Sequence, residues 1–361
     1  MYHIKRDIRK REEPMLDDLN VLKQRDPHGA LAIAAGQYQQ AGWDAVVESA
    51  DNDGRPVKDV IIAGMGGSAL AAEIVKTWLA PKLNISFEIV KAYDLPAYDH
   101  HNALVIASSY SGNTEETISC LEQAIKKNAQ VAVIASGGKL IDVAKKGDMA
   151  HVVLPTDLQP RMAMLYNLRA LLALLVNFGV IGKSYLDEVA DCEKWLHEQS
   201  DAWTKEVPVD KNYAKQLALL AVGKTPIFYA GNLMAPIAYK WKISWNENAK
   251  NVAFWNSLPE FNHNEFIGWA SHPVEKPFVI FDLVSNFEHE RVLKRFEITD
   301  RLLSGKRPKA NRVALQGTSP IAQMLWGCIL ADFVSIYVAI LNGVDPVPVD
   351  LVEKLKRELA G

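Results

Sequence analysis

A chain of 361 residues with 49% hydrophobic and 23% charged residues has the composition of a globular protein and the length of two ordinary domains. Its formal net charge of −3 supplies no positive field, which argues against nucleic acid or a membrane surface as a partner. Cys120, Cys192 and Cys328 stand too far apart for a metal clip or a redox pair, a usage that fits a reducing compartment. The segment from Met1 to Pro14 is dense in charge and has no apolar stretch, so it does not read as a secretory signal and the expected location is the cytoplasm.

Residues 1–40 are polar and helix-friendly and read as an N-terminal helical arm. From Asp59 the pattern changes to short apolar runs, each closed by a turn signal and followed by a helix-period stretch: Val60–Ala63, Phe87–Val90, Leu104–Ala107, Val131–Ala135 and Val152–Leu154. That alternation predicts βαβ units around a parallel sheet, a first α/β domain over 41–186. A hydrophilic stretch from Asp187 to Lys211 holds a charged helix and a connection. The theme returns over 205–361, with expected strands at Ile227–Ala230, Val252–Trp255, Phe278–Phe281 and Val313–Leu315 and a closing helix over Val349–Leu359. Ile61-Ile-Ala-Gly64 before Met65-Gly-Gly-Ser68 parallels Phe228-Tyr-Ala-Gly231 before Asn232-Leu-Met234, which suggests a duplicated domain whose second copy lacks Gly-Gly-Ser.

Met324–Leu341 is almost wholly apolar and close to a membrane span in length, but Asp332 in its middle is costly in lipid. A buried core helix is the expectation.

Two loops carry the chemistry of the first half. Gly64-Met-Gly-Gly-Ser68 follows a strand and opens a helix, so its backbone can approach an oxyanion and its N–H groups carry partial positive charge. It fits neither a P-loop nor a dinucleotide fingerprint. Ser108-Ser-Tyr-Ser-Gly-Asn-Thr-Glu-Glu-Thr117 has the same setting and concentrates the hydroxyls of Ser109, Ser111 and Thr114. The plainer alternative is that Ser111 or Asn113 caps the helix with Glu116 as its capping-box partner. Two such loops at neighbouring strand ends favour an anion site at the sheet's carboxyl edge. Neither loop contains lysine or arginine, which suits a phosphate monoester such as a sugar phosphate.

Ser-Tyr-Ser-Gly-Asn-Thr-Glu-Glu-Thr resembles the phosphate loop of the sugar-isomerase (SIS) domain, and Gly-Met-Gly-Gly-Ser resembles its partner in the bifunctional phosphoglucose/phosphomannose isomerases. The resemblance implies two flavodoxin-like SIS domains, each a parallel sheet flanked by helices. It also implies a hexose 6-phosphate substrate held at Gly67, Ser68, Ser109, Ser111 and Thr114, no cofactor, no metal, and a homodimer with active sites shared between subunits.

Aldose–ketose isomerisation needs a base that moves a proton between adjacent carbons, a cation for the enediolate, and an acid/base group for ring opening. On residues alone, Glu247 reads as an exposed helix-terminal charge beside Lys250, and His263 as a turn histidine. His263, Glu265 and His272 hint at a metal cluster, though their spacing is poor for one. The family resemblance makes Glu247 the proton-shuttling base and His263, sixteen residues on in Asn-His-Asn-Glu, the ring-opening group lent to the neighbouring subunit. It makes Arg161, in Leu158-Gln-Pro-Arg, the enediolate's cation, against the alternative of a solvated helix-start arginine. Lys354 matches a family lysine near the sugar ring, although its spacing alone suits a solvated position on an amphipathic helix. After Asp345-Pro346 several bifunctional members have threonine where this chain has Val347, which keeps the shape and loses the hydroxyl.

Two other classes fit the loops: a non-catalytic sugar-phosphate sensor and an isomerase of another phosphorylated sugar. The first usually carries a DNA-binding module, for which the first 40 residues are too short and too mixed in charge.

Overall fold

The computed structural model describes residues 14–98, 100–271 and 275–359. His272 and the first 13 residues of the arm lie outside them. The chain divides into two compact units. Of the described residues, those within 37–196 and 317–325 form one, and those within 14–36, 197–316 and 326–359 form the other. The arm thus groups with the second sheet, because its contacts are made late in the chain. Its two main helices are α1 (Leu19–Arg25) and α2 (Ala30–Gly36), followed by α3 (Gln39–Gly42). Asp18 caps α1 by accepting from Asn20 N and Val21 N, and Arg25 Nη1 donates to the Ile340 carbonyl at 2.7 Å.

The first sheet contains β1 (Asp59–Gly64), β2 (Ser86–Val90), β3 (Ala103–Ser108), β4 (Gln130–Ala135) and β5 (Ala150–Val153). All its pairings are parallel, in the order β2-β1-β3-β4-β5. It is flanked by α4 (Gly66–Leu79), α5 (Glu115–Lys126), α6 (Gly138–Lys146) and α7 (Met164–Asn177). Every residue of β3 is buried, as expected of a strand covered on both faces. Ile61, Ala63, Val105, Cys120 and Ala124 pack together on one side, under α5. Between α7 and the second sheet run α8 (Ser184–Ala190), α9 (Glu193–Asp201) and α10 (Tyr213–Ala221).

The second sheet contains β6 (Thr225–Gly231), β7 (Phe254–Leu258), β8 (Phe278–Val284) and β9 (Asn311–Ala314), again all parallel, in the order β7-β6-β8-β9. Its helices are α11 (Ala235–Glu247), α12 (Glu265–Gly268), α13 (Glu290–Leu302), α14 (Pro320–Asn342) and α15 (Asp350–Leu359). This order repeats the first four strands of the other sheet, so the duplication legible at one turn extends to four strands. The strand expected at Val252–Trp255 instead runs over Phe254–Leu258. It is an edge strand with Phe254 and Trp255 exposed, and its polar end, Asn256-Ser257, gives no apolar signal.

The apolar helix α14 is long enough for a membrane span, yet its whole apolar window is buried within the protein, which makes it a core helix. Trp203 stands edge-on to Trp326 and Phe333, and Trp241 Nε1 donates to the Gly327 carbonyl at 3.0 Å. The three cysteines are buried and unpaired.

Candidate functional site

The strand order β2-β1-β3 turns the chain to one side after β1 and to the other after β3, so the switch point of the first sheet lies between the carboxyl ends of these two strands. Gly64 and Ser108 are register partners there, and both candidate loops spring from that point. Ser68, in the first turn of α4, accepts from Tyr110 N at 3.3 Å, which ties the two loops together. Ser109 Oγ and Thr114 Oγ1 are 2.8 Å apart. Ser68 and Ser109 are buried, Thr114 is half-buried and Ser111 is exposed at the rim, accepting from Asn113 N at 3.4 Å.

The capping alternative fails on this geometry. The N-cap of α5 is Thr114, whose side chain makes no capping bond, and the Met65 N-cap of α4 contributes none either. Asn113 Oδ1 accepts from Lys139 N at 3.0 Å, at the start of α6 rather than α5. Two helix starts and the Ser68, Ser109 and Thr114 hydroxyls thus lie at the carboxyl edge of this sheet, and helix N-termini are positions that favour negative charge.

The backbone of Arg161 lies beside the first of these helix starts. It sits in a 3-10 turn, Pro160–Met162, that meets the start of α4: a Cβ on Gly67 would lie 3.0 Å from the Pro160 carbonyl oxygen and 3.6 Å from Arg161 Cα. Glycine at 67 is what lets the two segments touch. The Tyr110 hydroxyl donates to the Pro155 carbonyl at 2.8 Å and accepts from Leu158 N at 3.2 Å, and buried Gln40 donates to the Met162 carbonyl at 2.8 Å. Arg161 is 2% exposed, so it is no solvated helix-start residue. Its Nη1 reaches Gln159 Oε1 at 3.5 Å.

Glu247, His263, Val347 and Lys354 belong to the other unit. Glu247 is the last residue of α11 and half-buried. Lys250, with φ of 53°, folds back so that Nζ donates to the Glu247 carbonyl at 2.5 Å and to the Pro346 carbonyl at 3.1 Å. The end of α11 and the loop bearing Val347 are thereby joined through one ammonium. Asp345 stiffens the same loop, accepting from Val347 N at 3.0 Å through Oδ1 and meeting His28 Nδ1 at 2.8 Å through Oδ2. The sequence names Lys250 only as a neighbour of Glu247. Its bridging role depends on a loop 96 residues away.

His263 closes a second 3-10 turn, Glu260–His263, and is exposed between anchored neighbours. Phe261 is buried against Tyr229, and Asn262 donates to Thr299 Oγ1 at 2.9 Å while accepting from Arg295 Nη1 at 3.2 Å. Glu265 accepts from the Tyr229 hydroxyl and, at 2.8 Å, from Asn256 Nδ2. Glu265 is thus an anchor of the histidine's turn, and among the described residues no group of His, Cys, Asp and Glu is disposed to hold a metal ion. Burial and the Glu265 carboxylate push the Tyr229 phenol far above its ordinary range.

Lys354 lies on α15, which buries none of its residues, and pairs with Glu358 at 3.7 Å. The structure places Gly67, Ser68, Ser109, Ser111, Thr114 and Arg161 in one unit and Glu247 with the Val347 loop in the other, and Lys354 is exposed in the single chain.

Residues 55–176 match the SIS domain model and residues 210–359 match that of the bacterial phospho-glucose isomerase C-terminal SIS domain. The chain is 37% identical over 306 residues to a bifunctional phosphoglucose/phosphomannose isomerase of Caldicellulosiruptor bescii, covering 84% of this chain and 90% of that protein. It is 34% identical over 328 residues to the enzyme of the same name from Aquifex aeolicus, covering 91% and 97%. Its fold is similar to the crystal structure of a glucose-6-phosphate isomerase like protein from Thermus thermophilus, with a TM-score of 0.63 and 19% identity over 95% of this chain and 98% of that one. With both domain models and near-full-length relatives in agreement, the chain belongs to the family of bifunctional phosphoglucose/phosphomannose isomerases.

Proposed function

We propose that the protein interconverts glucose 6-phosphate and mannose 6-phosphate with fructose 6-phosphate by proton transfer through an enediolate. The observation that carries this reading is the pair of helix starts at the β1/β3 switch point, whose serine and threonine hydroxyls cluster between the two loops instead of capping their own helices. In this reading the phosphoryl group is held by Gly67, Ser68, Ser109, Ser111 and Thr114. Glu247 takes the C2 proton of the open aldose and returns it to C1, and Arg161 balances the negative charge that develops on the two oxygens. A buried guanidinium suits that task because it cannot lose its proton and is not masked by water.

His263 opens the ring in the active site of a neighbouring subunit, with Lys354 beside the sugar. A homodimer is supported by α15, whose Leu351, Val352, Leu355 and Leu359 are all exposed in the single chain. The three unpaired thiols support a cytoplasmic location. The chemistry proposed asks for no cofactor.

A direct test is turnover of fructose 6-phosphate by EDTA-treated protein, with products separated and identified. Both aldose 6-phosphates are expected. Absence of any aldose at saturating substrate would overturn the proposal.

A further inference from the structure

The two sheets share a strand order, so each part of the first cradle has a counterpart in the second unit. Strand β6 corresponds to β1, β8 to β3, α11 to α4, and the Ser285–His289 loop to the Ser109–Thr114 loop. The counterpart of the phosphate position is occupied by the chain itself. Glu288, in the loop after β8, is 7% exposed, and its carboxylate accepts from Met234 N at 3.0 Å and Leu233 N at 3.4 Å, at the start of α11. A Cβ on Gly231 would lie 2.2 Å from the carboxylate carbon and 2.3 and 2.5 Å from its oxygens. Glycine at the end of β6 is therefore the seat of this carboxylate. The loop is shaped to deliver it, with Ser285 Oγ accepting from Phe287 N at 3.0 Å and Glu288 N donating to the Ser285 carbonyl at 3.4 Å. Burial pushes the Glu288 carboxyl upward, and the bonds from Met234 N and Leu233 N oppose that push.

We propose that Glu288 is an internal surrogate for the phosphoryl group: it closes the second cradle to oxyanions and holds the start of α11, the helix whose far end bears Glu247. A carboxylate has the charge and the acceptor geometry that a helix start would otherwise offer to phosphate. Closing that position confines the substrate's phosphate to the first cradle, a consequence that rests on the function proposed above. Glu288 is on this view a positioning residue, acting through α11.

The test uses the full chain and inorganic phosphate. Titration of the wild-type protein, followed by calorimetry, is expected to show one phosphate per chain, lost in Ser109→Ala/Thr114→Val. Glu288→Ala is expected to bind a second phosphate that the Ser109→Ala/Thr114→Val changes do not remove. Phosphate or sulfate, but not chloride at equal ionic strength, is expected to raise its Tm more than that of the wild type. Unchanged stoichiometry with no extra anion-dependent stabilisation overturns the proposal. If Glu288→Ala does not fold in chloride, recovery on refolding in phosphate supports it, and failure in both, with Glu288→Gln folding normally, refutes it. Phosphate binding that survives Ser109→Ala/Thr114→Val in the wild-type background would refute the first cradle's assignment while leaving the Glu288 result readable.

Discussion

Lys240 Nζ stands 2.8 and 2.9 Å from the two carboxylate oxygens of Asp332, and both side chains are withdrawn from solvent. Ser244 Oγ donates to the same carboxylate at 2.7 Å, and one turn further on Asn248 Nδ2 donates to Ser335 Oγ at 2.9 Å. These positions, four apart, form one polar stripe that latches α11 to α14. Breaking the pair by Lys240→Met strands a buried carboxylate and is expected to cost about 3 to 5 kcal/mol. Lys240→Met/Asp332→Leu removes both charges and is expected to recover most of that loss. Urea unfolding of the two variants checks this, and equal losses in both would contradict it.

Glu247→Gln keeps the shape of the side chain and removes its basicity. Turnover is expected to fall by about 10²- to 10⁴-fold, while fructose 6-phosphate still binds, since the residues proposed to hold the phosphate are others. Steady-state kinetics and equilibrium binding read the two separately. Turnover near the wild-type rate would remove Glu247 from the role of base.

Lys250→Met cuts the link between the Glu247 carbonyl and the Pro346 carbonyl. With the end of α11 released, kcat is expected to fall by up to about 10²-fold with a smaller change in KM, as for misplacement of a catalytic group. Val347→Thr restores a hydroxyl in the same loop. The ratio of kcat/KM for mannose 6-phosphate over glucose 6-phosphate is expected to rise, by less than about tenfold for one added hydroxyl. An unchanged ratio would show that position 347 does not sort the epimers.

Asp282 gives the stability a pH dependence. Burial pushes its carboxyl up to about 7, Arg307 and Arg312 pull it down, and Asp300 adds to the rise. The folded state therefore holds a proton that the unfolded state has released, between the ordinary value of 3.8 and about 7. Stability from this group is complete below that window and is lost as pH rises through it. The shift corresponds to something on the order of 4 kcal/mol. Asp282→Asn is expected to raise Tm at pH 8 and to do little at pH 4, and thermal scans at both values check it. A Tm change of the same size at both would refute the assignment.

The two sheets were legible because buried parallel strands read as uninterrupted apolar runs, as Leu104–Ala107 does within β3. Strand β7 was misplaced because an edge strand that ends in Asn256-Ser257 lacks that run. The hydroxyls of the cradle were legible as a local cluster, and so was the place of Asp332 in a protein core. Glu288, Lys250 and Lys240 were not, for a common reason. Each acquires its role from a partner 54 to 96 residues away, and no local periodicity encodes such a pairing.

Gly112, with φ of 69°, lies so close to the next loop that a Cβ there would fall 1.8 Å from the Gly137 carbonyl oxygen. Leu140 N donates to the Gly112 carbonyl at 3.0 Å and Ser136 N to the Tyr110 carbonyl at 2.8 Å. The loop of Ser109 and Thr114 is therefore stacked on its neighbour and ordered when the sheet forms. A ligand arriving at such a loop gives up little conformational entropy on the protein's side, so affinity for a group as small as phosphate need not be spent on ordering the receptor.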